Sequence, residues 1–495
     1  MDTYISLAVI LMVGLLVASI LMQVKGAGGG LFGGGDTKVT PTVGNREPVL
    51  SRIESGAKVD PSISGVSVVL PPARVNETWA MASGTPSKSY GNLALGASPT
   101  RAWSAQIPGS SNKRRLGAAP IVAGGTLYVT DTAGTVHAFD ADTGGRKWEY
   151  RPEIDSDLRG TAFGGGIAVA GNRLFATSGT GQGVALNAAD GSVIWSASPA
   201  GPLRDSPTLA FNLVLVMTQD NRIIALSQDD GSVEWENSGS TAQAGVFGVA
   251  SPAAGQGTIV AGYSSGELVA YRYENGRELW ADALARTSIS TEVGSLTDID
   301  ADPIIDGGRV YALGQGGRMA AYELVTGQRV WELNLAGIST PALAGEWLFT
   351  LTSDARLLAI ARGSGKIRWI TQLARYRNEE DRKGPIFWTG PVLANNMLYV
   401  GTHDGEFLAV DWKKQKVIWR YSDPQKMQPY HASAAILGHR IVVGSQDKRV
   451  HCIDRKTGKR LWVFSTRAQV NSSPVIAGDR VYFGSADKHV YGVDL

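Results

Sequence analysis

Cysteine is almost absent from this chain of 495 residues, where Cys452 stands alone. A single thiol excludes an internal disulfide, and with no second Cys it offers neither a thiolate metal site nor a dithiol redox pair. It follows His451 on an expected strand, where adjacent side chains point to opposite faces, so the two cannot share a site. The six histidines, at 137, 403, 431, 439, 451 and 489, show no zinc-ligand spacing. No Ser, Cys or Lys stands beside a plausible base, so catalysis has no positive support. Helical periodicity is missing after residue 26. Net charge is also small, with 47 Lys and Arg against 45 Asp and Glu. That balance hides an asymmetry, because residues 411–495 hold 15 basic against 7 acidic side chains. Such a stretch either protects strand edges or meets an anionic partner, and nucleic-acid binding is not inferred from it.

What is present is a repeat. Eight times, a short strand ending in a small or apolar residue is followed by a turn and a tryptophan, as in Ala138-Phe139-Asp140-Ala141-Asp142-Thr143-Gly144-Gly145-Arg146-Lys147-Trp148. Further copies end at Trp195, Trp235, Trp280, Trp331, Trp369, Trp419 and Trp462. Spacings of roughly 40 to 50 residues are the period of four-stranded propeller blades. Each unit opens near a proline (120, 207, 252, 303, 341, 391 or 474), where a strand start tolerates a missing N–H. Alternating runs such as Leu127-Tyr128-Val129 follow. The Asp of the small-x-Asp step is placed to accept hydrogen bonds from the turn that Thr-Gly closes, and the Trp to pack between adjacent sheets.

The fold class is therefore all-β, a β-propeller of PQQ-like four-stranded blades, over residues 101–495. The chain stops at Val493-Asp494-Leu495, one strand short of a last unit, and Arg101-Ala102-Trp103-Ser104-Ala105 supplies a strand at the other end. Pairing of the two ends would close the ring and remove exposed edges. Eight complete units plus one shared unit leave eight or nine blades.

Residues 1–25 are a different material. Tyr4 to Val24 is almost wholly apolar and long enough to span a bilayer as a helix. It starts Met-Asp-Thr-Tyr without the basic n-region or small-x-small site of a cleaved signal, so a membrane anchor is favoured. Lys25, Lys38 and Arg46 follow the span, which by the positive-inside rule conflicts with export of the propeller. Residues 26–100 read as a Gly/Pro/Ser-rich tether and leader. Gly26 to Gly35 lacks the preceding strand and following helix of a phosphate loop.

From about residue 39 to 410 the chain resembles the BamB family, propeller lipoproteins of the bacterial outer-membrane β-barrel assembly machinery. The resemblance rests on Pro41-Thr42-Val43-Gly44, Val69-Leu70-Pro71-Pro72, the closing strand around Trp103, and Ser290-Thr291-Glu292-Val293 leading into Asp298-Ile299-Asp300-Ala301-Asp302-Pro303. It departs from the family at both ends. Leu16-Val17-Ala18 is followed by Ser19 in place of the lipobox Cys. The opening is instead similar to the first helix and glycine loop of SecG, a translocon subunit, at Gln23-Val24-Lys25-Gly26-Ala27-Gly28. Beyond residue 411 the units are more generic and add a blade to the family's eight.

The resemblance implies a non-catalytic scaffold without cofactor, at the periplasmic face of the outer membrane, with inner-membrane anchoring open because the lipobox Cys is missing. Its implied partners are the POTRA domains of BamA, other subunits of the complex, unfolded outer-membrane clients, and the membrane through the N-terminal segment. Asp298 and Asp300 match the acidic pair of a partner-contacting loop. Val246 and Phe247, in Ala244-Gly245-Val246-Phe247, stand where some members carry Leu-x-Leu-Arg and would form an apolar anchor. Asp298, Asp300 and Asp302 also have the one-three-five spacing of a calcium loop. Pro303 replaces its Gly, and Arg309 stands where its bidentate Glu belongs. Capping of turns between blades is a further role open to these carboxylates. Two other functions share the repeat. One is a PQQ-dependent dehydrogenase, which commonly needs adjacent cysteines and a calcium ion at the funnel centre. The other is a membrane-anchored ligand-sensing propeller.

Overall fold

The computed structural model describes residues 57–94, 102–108, 118–154, 157–158, 165–240, 250–284 and 297–394, and from there to 494 all but residues 395, 403–405, 413–415, 423–434, 438–439, 446–448, 455–456, 467–469, 471–474, 478–479 and 486–488. The apolar segment 4–24, the glycine tract, and Val246 and Phe247 lie outside the described residues.

Nine antiparallel four-stranded sheets are present among the described residues. In chain order blades 1 to 8 span 121–150, 167–197, 203–238, 253–283, 304–333, 342–372, 388–422 and 435–465. Blade 9 takes its first three strands from 475–494 and its fourth from Trp103–Gln106. Trp103 pairs with Gly492, and Gln106 with His489. The two chain ends therefore share one blade, which settles the count at nine.

The local chemistry follows the repeat. Two-residue hairpins with both central φ positive, such as Phe211-Asn212 (54° and 62°) and Gly307-Gly308 (59° and 74°), match the right-handed twist of the strands they join. At the third turn the Asp140 Oδ1 accepts from the Thr143 N–H and hydroxyl, both at 2.9 Å. Gly144, at φ 72°, lies against the Trp103 ring so closely that a Cβ would overlap it. Gly191 stands in the same way on Trp148, and Gly231 on Trp195. Each Trp thus reaches the next blade. The indole N–H groups of Trp103, Trp148, Trp195, Trp235, Trp280 and Trp331 donate to the carbonyls of Ala141, Ala188, Gln228, Tyr273, Leu324 and Arg362, at 2.8–3.1 Å.

Core residues fall into nine clusters, one across each blade interface. The cluster of Trp103, Val122, Leu127, Val475, Tyr482 and Val490 joins blade 9 to blade 1 and closes the ring. Blade 7 breaks the pattern. Its third turn reads Asp411-Trp412-Lys413-Lys414-Gln415 with no Thr-Gly, and the buried Trp369 indole N–H donates no hydrogen bond. A two-stranded hairpin, Tyr376–Asn378 with Lys383–Pro385, precedes this blade.

The first strands of neighbouring sheets touch one another and line the centre. Their free edges are met there by the leader. Trp79 and Val122 of blade 1 exchange N–H···O bonds of 2.8 and 3.0 Å. Ala80, Pro86 and Ser87 accept from the N–H groups of Val169, Ala254 and Ile305, in blades 2, 4 and 5, at 2.8, 2.9 and 2.9 Å. Leu93 bridges Ala394 of blade 7. Residues 79–93 therefore plug the bore of the ring.

Candidate functional site

Residues 297–303, which lead into blade 5, send Ile299 and Ala301 into the core. Ile299 and Ala301 are fully buried, and Gly262 must be glycine because a Cβ would stand 2.5 Å from Ile299. Backbone bonds hold the segment on several sides. Ile299 N–H donates to Tyr263, Ala250 N–H to Ile299, and Gln315 N–H to Asp298, at 3.2, 3.3 and 2.9 Å.

Asp298 and Asp300 are close enough to influence one another, with Arg204 of blade 3 acting on both. Their surroundings differ. Asp298 is 1% exposed, and neither carboxylate oxygen accepts a hydrogen bond. Asp300 is half-buried. Burial, then the Asp298 charge, pushes the Asp300 carboxyl up to about 6, against an opposing pull from Arg204. Burial lowers the Arg204 guanidinium, while the two carboxylates favour its charged form.

An ionised carboxylate without a hydrogen bond in the interior costs several kcal/mol of desolvation. Asp298→Asn keeps the shape and removes the charge. It is expected to leave stability unchanged or raise it by about 1–2 kcal/mol, read as the midpoint of thermal unfolding. A midpoint several degrees lower would mean that attraction to Arg204 outweighs the desolvation of the carboxylate.

Asp302 belongs to a second cluster, inside the bore. Its Oδ1 accepts from the Ser251 N–H at 2.9 Å and its Oδ2 from the Ser83 hydroxyl at 2.7 Å. Asp205 accepts from the Ser251 hydroxyl at 2.9 Å. Lys88 of the leader enters beside them and is 1% exposed. Its Nζ donates to the Ala82 carbonyl and the Thr208 hydroxyl, each at 3.1 Å. Burial lowers the Lys88 ammonium, and the charges of Asp302 and Asp205 oppose that shift. Desolvation, then the Asp302 charge, raises the Asp205 carboxyl.

The family resemblance singles out Asp298 and Asp300, and the structure holds them close to one another, whereas Asp302 turns away into the bore. It does not find Arg204 or Asp205, which precede Asp298 and Asp302 by roughly a hundred residues, or Lys88, which lies 120 residues before Thr208, with no local pattern to mark them. The anchor residues Val246 and Phe247 are outside the described residues.

Among the described residues no group of three or more His, Cys, Asp or Glu could hold a metal ion. His137 lies 3.1 Å from Asp131 and 3.6 Å from Glu149, and it is buried against Phe139. A quinone cofactor at the funnel centre does not fit these residues. The leader fills that space, a lysine stands at its acidic pair, and Cys452 has no neighbour with which to form a vicinal disulfide.

Comparison with known proteins comes to the same region. The family model described as outer membrane protein assembly factor BamB matches residues 155–371 and 425–495. A glucose/ethanol/alcohol dehydrogenase β-propeller model matches residues 99–193. BamB of Yersinia pestis is 27% identical over 320 residues, covering 63% of this chain and 81% of its own length. BamB of Escherichia coli K12 is 28% identical over 310 residues, covering 62% and 77%. The crystal structure of BamB from Moraxella catarrhalis superposes with a TM-score of 0.56 at 18% identity, covering 80% of this chain and all of that one. A quinohemoprotein alcohol dehydrogenase from Pseudomonas putida HK5 reaches 0.55 at 15%, covering 85% and 80%. At such identities these two likenesses bear on the fold alone. The gap in the BamB match, 372–424, takes in the hairpin and the whole of blade 7.

Proposed function

Because this chain belongs to the BamB family of outer membrane protein assembly factors, we propose that it serves the β-barrel assembly complex as a non-catalytic scaffold that binds BamA. The observation that carries the reading is the family match together with the acidic pair Asp298 and Asp300 at the entry to blade 5. The propeller faces the periplasm at the outer membrane, residues 1–25 tether it to a membrane, and it keeps unfolded barrel clients near BamA. Asp298 is too buried to meet a partner. Contact therefore falls to Asp300, with Val246 and Phe247 as the apolar part.

Carboxylates at a rim steer and orient a basic surface while adding modest affinity. The raised Asp300 carboxyl gives this contact a pH signature. Its charge is present above about 6 and lost as the pH falls through that value, so association weakens on acidification. Stability runs the other way. A carboxyl at 3.8 when unfolded and about 6 when folded favours the protonated native state, and that advantage disappears as the pH rises through 6. Asp300→Asn is accordingly expected to stabilise the fold at pH 7.5 but not at pH 4, while weakening the complex.

The test is binding of the full chain to the POTRA domains of a cognate BamA. Asp300→Lys is expected to weaken it about tenfold, near 1.4 kcal/mol. A well-folded Asp300→Lys protein that binds as tightly as the parent would remove Asp300 from the interface. Absence of any binding by the parent would remove BamA.

A further inference from the structure

We infer that a cleft between the leader and the outer strand of blade 6 is a binding site for a small aromatic carboxylate.

The leader runs beside that strand, Ile367–Gln372. The Asp60 N–H donates to the Ile367 carbonyl, and the Arg368 Nε to the Val66 carbonyl, both at 2.9 Å. Between them opens a cleft of about 320 Å³, lined by residues 65–69, by Arg368 and Trp369, and by Trp412 at the third turn of blade 7. A volume of this order is that of a small-molecule site.

Trp369 is the exception in a repeated contact. From Trp103 to Trp331, six indole N–H groups donate to the carbonyl of the residue just past the third strand of the next blade, as at Ala141 and Arg362. In blade 7 the matching residue is Trp412, which follows Glu406–Asp411. The Trp369 N–H makes no bond to it or to any other acceptor, although Trp369 is 1% exposed. A buried donor without an acceptor is costly, and an oxygen at the inner end of the cleft would remove that cost.

Arg368 supplies the charge. Beyond its Nε bond to Val66, its guanidinium has neither a hydrogen bond nor a carboxylate partner among the described residues. No acidic residue lines the cleft. A guanidinium fork takes a carboxylate through two parallel bonds, and the indole N–H is a donor only, so both groups ask for an anionic oxygen. The remaining walls, Trp369, Trp412 and the valines at 66, 68 and 69, are apolar, and indole rings favour a flat aromatic body in offset or edge contact. An anion without a ring would leave those walls unused, and a neutral ring would leave the guanidinium unpaired. Trp412 lies in the stretch 372–424 that the BamB match leaves out, so one wall of the site stands outside the matched part of the chain.

The test is titration of the full chain with naphthoate, followed by calorimetry and by the indole N–H signals of nitrogen-labelled tryptophan. The signal that Trp369→Phe removes is expected to move and saturate. Naphthamide keeps the ring without the charge, and acetate keeps the charge without the ring; each is expected to bind at least about tenfold more weakly. Arg368→Gln is expected to weaken naphthoate by about tenfold or more. No saturable binding by the parent would overturn the proposal, as would naphthamide or acetate binding as tightly as naphthoate. Naphthoate binding unchanged in a folded Arg368→Gln protein would also overturn it. If Trp369→Phe does not fold, calorimetry with the three ligands and Arg368→Gln decides alone. None of these results bears on the BamA contact.

Discussion

Trp103→Ala is expected to destabilise the ring by about 4 kcal/mol and to make it self-associate. Removing a buried Trp side chain costs roughly 3–5 kcal/mol in lost transfer energy and cavity. Here the indole N–H bond to Ala141 is lost as well, and Gly144 and Gly492 lose the ring they pack against. The position matters as much as the size. Trp103 lies on the strand that joins the two chain ends, so loosening it exposes an edge of blade 9 able to pair with another molecule. Trp148→Ala removes the same group from blade 1, whose four strands are continuous in sequence. Thermal unfolding would register a similar loss in both variants, and light scattering would separate them. Equal monodispersity of the two would mean that strand pairing between the ends does not hold the ring shut.

Lys88→Met is expected to cost about 3 kcal/mol, expressed in the leader and not in the blades. The substitution keeps the apolar stem but deletes two charge-assisted hydrogen bonds, to Ala82 and Thr208, each worth up to roughly 1.5–3 kcal/mol. It also leaves Asp302 and Asp205 facing one another without the cation between them. Only relief of the lysine's own desolvation offsets these losses. At about 1.4 kcal/mol per tenfold, exchange at the Val169, Ala254 and Ile305 amides should accelerate about a hundredfold. Amides in the ladder between Arg173–Thr177 and Gly183–Asn187 should be unaffected. Uniform acceleration across the ring would mean that the leader and the blades unfold together.

The blades were legible in the sequence because everything that makes them is local. The Asp140 turn, the positive φ of Gly144 and the alternation of Leu127-Tyr128-Val129 all lie within one unit, and a strand missing after Leu495 has its counterpart at Trp103. The bore was not legible. Its contacts join Ser83 to Asp302 and Lys88 to Thr208, separated by 219 and 120 residues, and the Pro, Ser and Gly content of the leader carries no period that could announce a partner. Nor does the sequence tell Asp298 from Asp300. In Asp298-Ile299-Asp300 both read as surface carboxylates, and only backbone bonds from Gln315 and to Tyr263 decide that one is sealed in while the other stays half open.

The family match is silent over blade 1 and over blade 7, and residues 79–93 are the segment that touches the blades around the rim. The circumference of a propeller grows with each sheet added, and its bore grows with it. A ring that gains a sheet acquires a hollow that side chains from its first strands no longer span. Deletion of residues 374–422 to give an eight-bladed ring would therefore leave residues 79–93 without room. The ninth sheet and the segment that fills the middle are a matched pair, and a chain carrying one without the other would hold either an open hole or an evicted tail.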